Sequence, residues 1–191
     1  ASSGIRAWLN GSFYNTAFND LQKSLIKTVT VDNSARSTNP DNDATYWNGG
    51  NNSYTCENTH DNVWLLSQQE VTREDYGFNT NPNNADEIRH KHASAYAQCQ
   101  GMRIYNEGDS LYNGNSYWWL RSPHYDFDYG AWGTYCDGSF DYGLIVRETG
   151  NGVVPALQIS LKPYTAEGDY IYFGSYPQTD VTESMSTELS N

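Results

Sequence analysis

The sequence predicts an α+β, loop-rich domain with short helices early and a small antiparallel sheet late. Three observations lead there. Capped segments with helically spaced apolar residues precede Gly101. Short aromatic or β-branched runs bounded by Gly and Asn occupy the stretch from Tyr117 to Leu161. Between them run long stretches of Asn, Asp, Gly, Ser and Thr, which favour turns because their side chains bond to nearby backbone.

The elements follow in order. Ile5, Trp8 and Leu9 are helically spaced behind Ser3, and Gly11 punctuates. Asn19 with Gln22 three positions on is a capping box, so Asp20 to Ile26 reads as a helix. Lys27 to Val31 alternates and is β-branched, which is strand chemistry. Residues 32–61 read as a long surface loop. Asn62 to Leu66 reads as a short buried strand, and Ser67 with Glu70 starts another capped helix. Residues 75–84 form a further loop around Asn81-Pro82-Asn83. Ala85 to Gln100 is the strongest helix prediction: Ile88, His92, Ala95, Tyr96 and Cys99 share one face, and Gly101 ends it. Strands are expected at 117–120, 133–135, 144–146 and 156–161, with Asn113-Gly114 as a turn. Residues 166–169 read as a turn, 170–179 as a further strand, and the chain beyond Val181 as a polar tail.

Charge excludes several partners. The chain of 191 residues has 11 Lys and Arg against 23 Asp and Glu, a net charge of −12. Phosphate neutralisation needs cations, so nucleic acid is an unsuitable partner, and anionic membrane surfaces repel the chain. No apolar run is long enough to span a bilayer, so no membrane insertion is expected. Cys56, Cys99 and Cys136 are widely spaced, without a C-x-x-C pair, and read as unpaired thiols. No P-loop or dinucleotide fingerprint occurs.

Tyr117 to Tyr142 carries the strongest functional signal. Ten of its 26 residues are aromatic and four are Asp. Tyr and Trp supply rigid contact area at low entropic cost, while small polar residues adapt their hydrogen bonds. Within it Trp118 and Trp119 face opposite sides of a strand, and Arg121 braces loops through its several donors. The expected ligand-binding residues are His124, Tyr125, Phe127, Tyr129, Trp132, Tyr135, Phe140 and Tyr142.

Other chemistries find less support. Asp126, Asp128, Asp137 and Asp141, or Asp41-Asn42-Asp43, offer oxygen ligands for calcium, but neither set fits an EF-hand loop. The lectin triplets E-P-N, Q-P-D and W-N-D are also missing, so no cofactor and no metal site is expected. Ser122, His124 and Asp126 are too close in sequence to form a triad, whose members meet through the fold. His90 and His92 lack the i, i+4 spacing of helical metal ligands. No catalytic residue is expected.

Several blocks stand together: Ile5-Arg6-Ala7-Trp8-Leu9-Asn10, residues 28–33 and 63–67, Trp118-Trp119-Leu120-Arg121-Ser122-Pro123, Asp137-Gly138-Ser139, and Val153-Val154-Pro155-Ala156-Leu157. Together they resemble an uncharacterised family of bacterial domains, frequent in surface or secreted proteins of gut bacteria and spirochaetes. That family is similar to C-type-lectin-like domains of the formylglycine-generating-enzyme type, a fold also used by variable proteins of diversity-generating retroelements. The resemblance covers roughly residues 3–161. It implies a C-type-lectin-like domain over 1–163, lacking its usual first strands, and a linker plus strand over 164–191. Val154 stands where the family usually has Arg, so that ion pair is lost. The block Tyr172 to Gln178 resembles the family's opening strand yet comes last, as in a window cut from a tandem array or in a permuted domain. We expect 170–176 to pair as a strand. The catalytic cysteine pair of the formylglycine-generating enzymes has no match, so that activity is not implied.

The expected function is recognition of a protein or glycan ligand, at an extracellular or bacterial or phage surface as the resemblance implies. A structural repeat of a surface array is the first alternative. The second is a glycoside hydrolase using Asp126 with Asp137 or Asp141. Residues 120–147 lack Lys, Gln, Glu and Met, which adenine mutagenesis of Asn codons does not reach. A retroelement-diversified segment and a plain Tyr, Gly and Asp-rich composition explain this equally well.

Overall fold

The computed structural model describes residues 3–44 and 52–160, and of Asp141 and Tyr142 the backbone alone. The segments expected at 166–169 and 170–179, and the tail beyond Val181, lie outside the described residues. The elements form a mixed α+β, loop-rich fold of short helices and small antiparallel sheets. The chain divides into two compact units.

The first unit holds the described residues 3–31, 59–64 and 155–160. Ser3 caps helix Gly4–Trp8 by accepting from Arg6 N–H. Gly11 does not stop the chain's coiling, contrary to expectation. A π-helical turn, Leu9–Phe13, carries it into helix Tyr14–Ala17. The reason lies in Asn10. Its Oδ1 accepts from Asn62 N–H and Val63 N–H, and its Nδ2 donates to Val63 O and Arg6 O, holding the turn against the 62–63 segment. Both arms of the Asn19–Gln22 capping box are present on helix Asp20–Leu25. The expected 27–31 strand is two short strands: Ile26–Lys27 pairs with Gln158–Ile159, and Val29–Val31 with Thr59–Asp61. Arg6 closes this unit on the buried Asp61 carboxylate at 2.7 Å.

The second unit comprises residues 32–58 and 65–154 in its described parts. Its centre is a three-stranded antiparallel sheet of Trp118–Pro123, Gly130–Thr134 and Phe140–Ile145. Along the first strand Trp118, Leu120 and Ser122 are buried while Trp119, Arg121 and Pro123 are half-buried, the strand's two-residue period. Trp118, Leu120, Trp132 and Phe140 form one cluster with Val71, and Val154 packs against it in apolar contact. Arg121 braces loops as expected. It donates to Leu65 O and Asp32 O at 2.9 Å and pairs with Glu70.

The strongest helix prediction is corrected. Only Ala95–Cys99 is helical, capped by Ser94 and ended at Gly101 with φ +88°. Lys91–His92 is a strand paired with Asn115–Ser116, so His92 shares no helix face with Tyr96 and Cys99. Arg89 explains the difference. It is fully buried, and its five N–H groups reach five backbone carbonyls: Gly138, Val71, Asn79, Asn81 and Asn84. An arginine satisfied by so many distant acceptors must sit in a turn that lets those loops converge. Asp86 completes the arrangement at 3.2 Å from the guanidinium. Burial pushes the Arg89 pKa down, opposed by Asp86 and Asp137.

Candidate functional site

The candidate site grows from the loop joining the first two strands of the sheet. His124 N–H donates to Gly130 O at 3.0 Å, closing the loop across its base. Asn52 Nδ2, from the long loop, donates to Pro123 O at 2.9 Å just before it. Beyond it Val146 N–H donates to Tyr129 O at 2.9 Å.

Within this frame the rings form a ladder. His124 stacks on Trp132 at 5.6 Å and on Phe127 at 3.8 Å, and Phe127 stacks on Tyr129 at 4.7 Å. All three contacts lie within about 25° of parallel. Tyr125 also stacks on His124 at 4.6 Å. Exposure rises along the ladder: Trp132 and His124 are 2% and 3% exposed, Phe127 is half-buried, and Tyr129 is 54% exposed. Gly130 makes the stack possible, because a Cβ there would stand 2.0 Å from the Phe127 ring.

The inner end is held by polar groups. With its amide oxygen turned toward Trp132, Gln68 accepts from the indole N–H at 3.2 Å and donates to Thr38 O. His124 Nδ1 accepts from Asp126 N–H at 3.1 Å, which requires a neutral ring with its proton on Nε2. Burial pushes the His124 pKa down, opposed by the Asp126 carboxylate.

The eight expected binding residues therefore separate. His124, Tyr125, Phe127, Tyr129 and Trp132 come together in the ladder. As surface groups, however, His124, Trp132 and Phe140 are corrected: all three are buried. Trp132 and Phe140 face the core because neighbouring strand positions alternate, which aromatic content alone does not reveal. Tyr135 is half-buried at the opposite end of the hairpin, against Tyr117 at 5.3 Å. The Tyr142 side chain lies outside the described residues.

The acids are also distributed. Asp137 sits in the far turn, where its Oδ1 accepts from Ser139 N–H and Oγ. Asp126 and Asp128 stay exposed in the ladder loop, so Asp126 and Asp137 occupy opposite ends of the hairpin. The Asp141 side chain lies outside the described residues. Among the described residues no group of three or more His, Cys, Asp or Glu is arranged to hold a metal ion. Ser122 Oγ accepts from Gln68 N–H and donates to Ser37 O, both buried contacts. His90 Nδ1 lies 2.8 Å from Asn115 Nδ2. Cys56 and Cys99 are exposed, and burial pushes the Cys136 thiol pKa up. No helix among the described residues is long and apolar enough to cross a membrane.

Sequence reasoning missed four supports of this region: Asn52, Gln68, Arg89 and Gly130. Asn52, Gln68 and Arg89 act through partners distant in the chain, so no local pattern marks them. Gly130 could have been found, since a Gly between Tyr129 and Ala131 entering a strand signals close approach.

Residues 1–161 match the family described as a domain of unknown function, DUF6273. The chain belongs to this family. The match spans the framework blocks from Ile5 to Leu157, so the ladder lies inside the DUF6273 domain. No curated protein and no solved structure matches the chain.

Proposed function

We propose that this DUF6273 chain is a recognition domain of C-type-lectin-like fold that binds a protein or glycan ligand at an extracellular or bacterial surface. One observation carries the reading: an aromatic stack rooted in the core and rising to an exposed Tyr129. Burying the inner rings fixes the outer ones, so contact area is presented with little entropy left to lose on binding. The contacting groups are Tyr125, Phe127 and Tyr129, with Asp126 and Asp128 setting orientation. Trp132, His124 and Phe140 support from beneath.

The test is a screen of glycan arrays and host-surface proteins, with and without chelator. Any ligand captured is then measured against the Phe127→Ala and Tyr129→Ala double variant. Binding should weaken at least tenfold, as loss of two central aromatic anchors does. Unchanged binding by a double variant that unfolds like the parent would overturn the reading.

A further inference from the structure

Tyr129 rests one ring face on Phe127 at 4.7 Å and is 54% exposed, so its other face meets solvent. On either side of Phe127, Asp126 and Asp128 are exposed. Neither carboxylate accepts a hydrogen bond or pairs with Lys or Arg among the described residues. Other acids of this unit are engaged: Glu70 with Arg121, Asp86 with Arg89, Asp75 with Arg73, and Asp137 with Ser139. The ladder loop thus leaves two carboxylates uncommitted beside an open aromatic face. Arg147, exposed one residue beyond Val146, is a positive charge on the neighbouring segment.

A guanidinium answers both features at once. Its flat, weakly hydrated face stacks on tyrosine, where the ring quadrupole attracts a cation, while its edge donates to carboxylates. An ammonium gains from the charge but stacks less well. A neutral sugar ring gains from the stacking alone. The chain's net charge of −12 draws a basic partner toward the surface as a whole.

We propose that the ladder tip binds an arginine-bearing segment of a partner protein, its guanidinium on the open face of Tyr129 and between the Asp126 and Asp128 carboxylates. This rests on the recognition reading above and names the partner chemistry for that same surface.

The probe is a capped heptapeptide of alternating Gly and Arg, titrated into the full chain and followed by NMR of the aromatic and backbone signals of residues 124–130. Its citrulline counterpart keeps shape and removes charge, and maltoheptaose supplies a neutral sugar. The arginine peptide should shift the Phe127 and Tyr129 signals, and the citrulline peptide should bind at least about fivefold more weakly. Tyr129→Ala should weaken the arginine peptide about threefold. Asp126→Asn with Asp128→Asn should weaken it about fivefold and flatten its salt dependence. Arg147→Ala should strengthen it about twofold. Equal binding of the two peptides, or arginine binding indifferent to Tyr129→Ala, overturns the proposal. So does maltoheptaose binding at the ladder when the arginine peptide does not, and that result leaves the recognition reading standing. If no probe reaches the ladder, the arginine proposal fails, while the recognition reading is decided separately by the ligand captured in the screen.

Discussion

Replacing Arg89 with Met keeps much of its length and removes all five donors. Two of the carbonyls it serves, Gly138 O and Val71 O, make buried contacts. The other three, on Asn79, Asn81 and Asn84, are part-buried and can turn to water. A buried acceptor left without a partner costs about 1–3 kcal/mol, so the two buried ones together cost about 2–6 kcal/mol. Asp86 loses its cation but keeps the N–H groups of Asn79 and Ile88, which limits its penalty. A loss of about 4 kcal/mol follows, a large share of the roughly 5–15 kcal/mol that holds most domains folded. Urea unfolding followed by intrinsic fluorescence reads this directly. With a slope of about 2 kcal/mol per molar, the midpoint should fall by about 2 M. Arg89→Lys, with three donors on a single nitrogen, should fall between the two. A Met variant within about 1 kcal/mol of the parent would refute the claim that Arg89 gathers these loops.

Three further outcomes test the ladder. Because the folded His124 pKa lies below the ordinary 6.5, the unfolded chain takes up a proton first as pH drops. The contribution of His124 to stability is therefore complete above about pH 6.5 and is lost as pH falls from there to the folded pKa. His124→Gln should flatten that slope, and an imidazole titrating at or above 6.5 by NMR contradicts it. Gly130→Ala puts a methyl into the Phe127 ring and should cost about 1–3 kcal/mol while moving the Phe127 and Tyr129 signals; unmoved signals would show the stack to be looser than described. Trp132→Ala should cost about 3–5 kcal/mol and Tyr129→Ala under about 1 kcal/mol, and similar losses in the two would erase the division between root and tip.

Local chemistry was legible in the sequence wherever its partners lie three or four residues apart. Ser3, the Asn19–Gln22 box and the Ser67–Glu70 pair all cap as read, because a side chain reaching N2 or N3 needs no tertiary structure. The aromatic character of 117–142 and the bracing role of Arg121 were legible too, since composition and donor geometry belong to the residues themselves. Tertiary structure decided the rest. The helical pattern at 85–100 gave way to a turn and a strand because the Arg89 side chain bonds loops up to 49 residues away and Lys91–His92 pairs with 115–116. It also decided which rings serve the core and which the surface. Trp132 and Tyr129 belong to the same aromatic run, yet strand pairing and Gly130 put one at 2% exposure and the other at 54%. A sequence states how much aromatic surface a chain owns; only the register of its strands and the rings stacked beneath determine how much of it meets a partner.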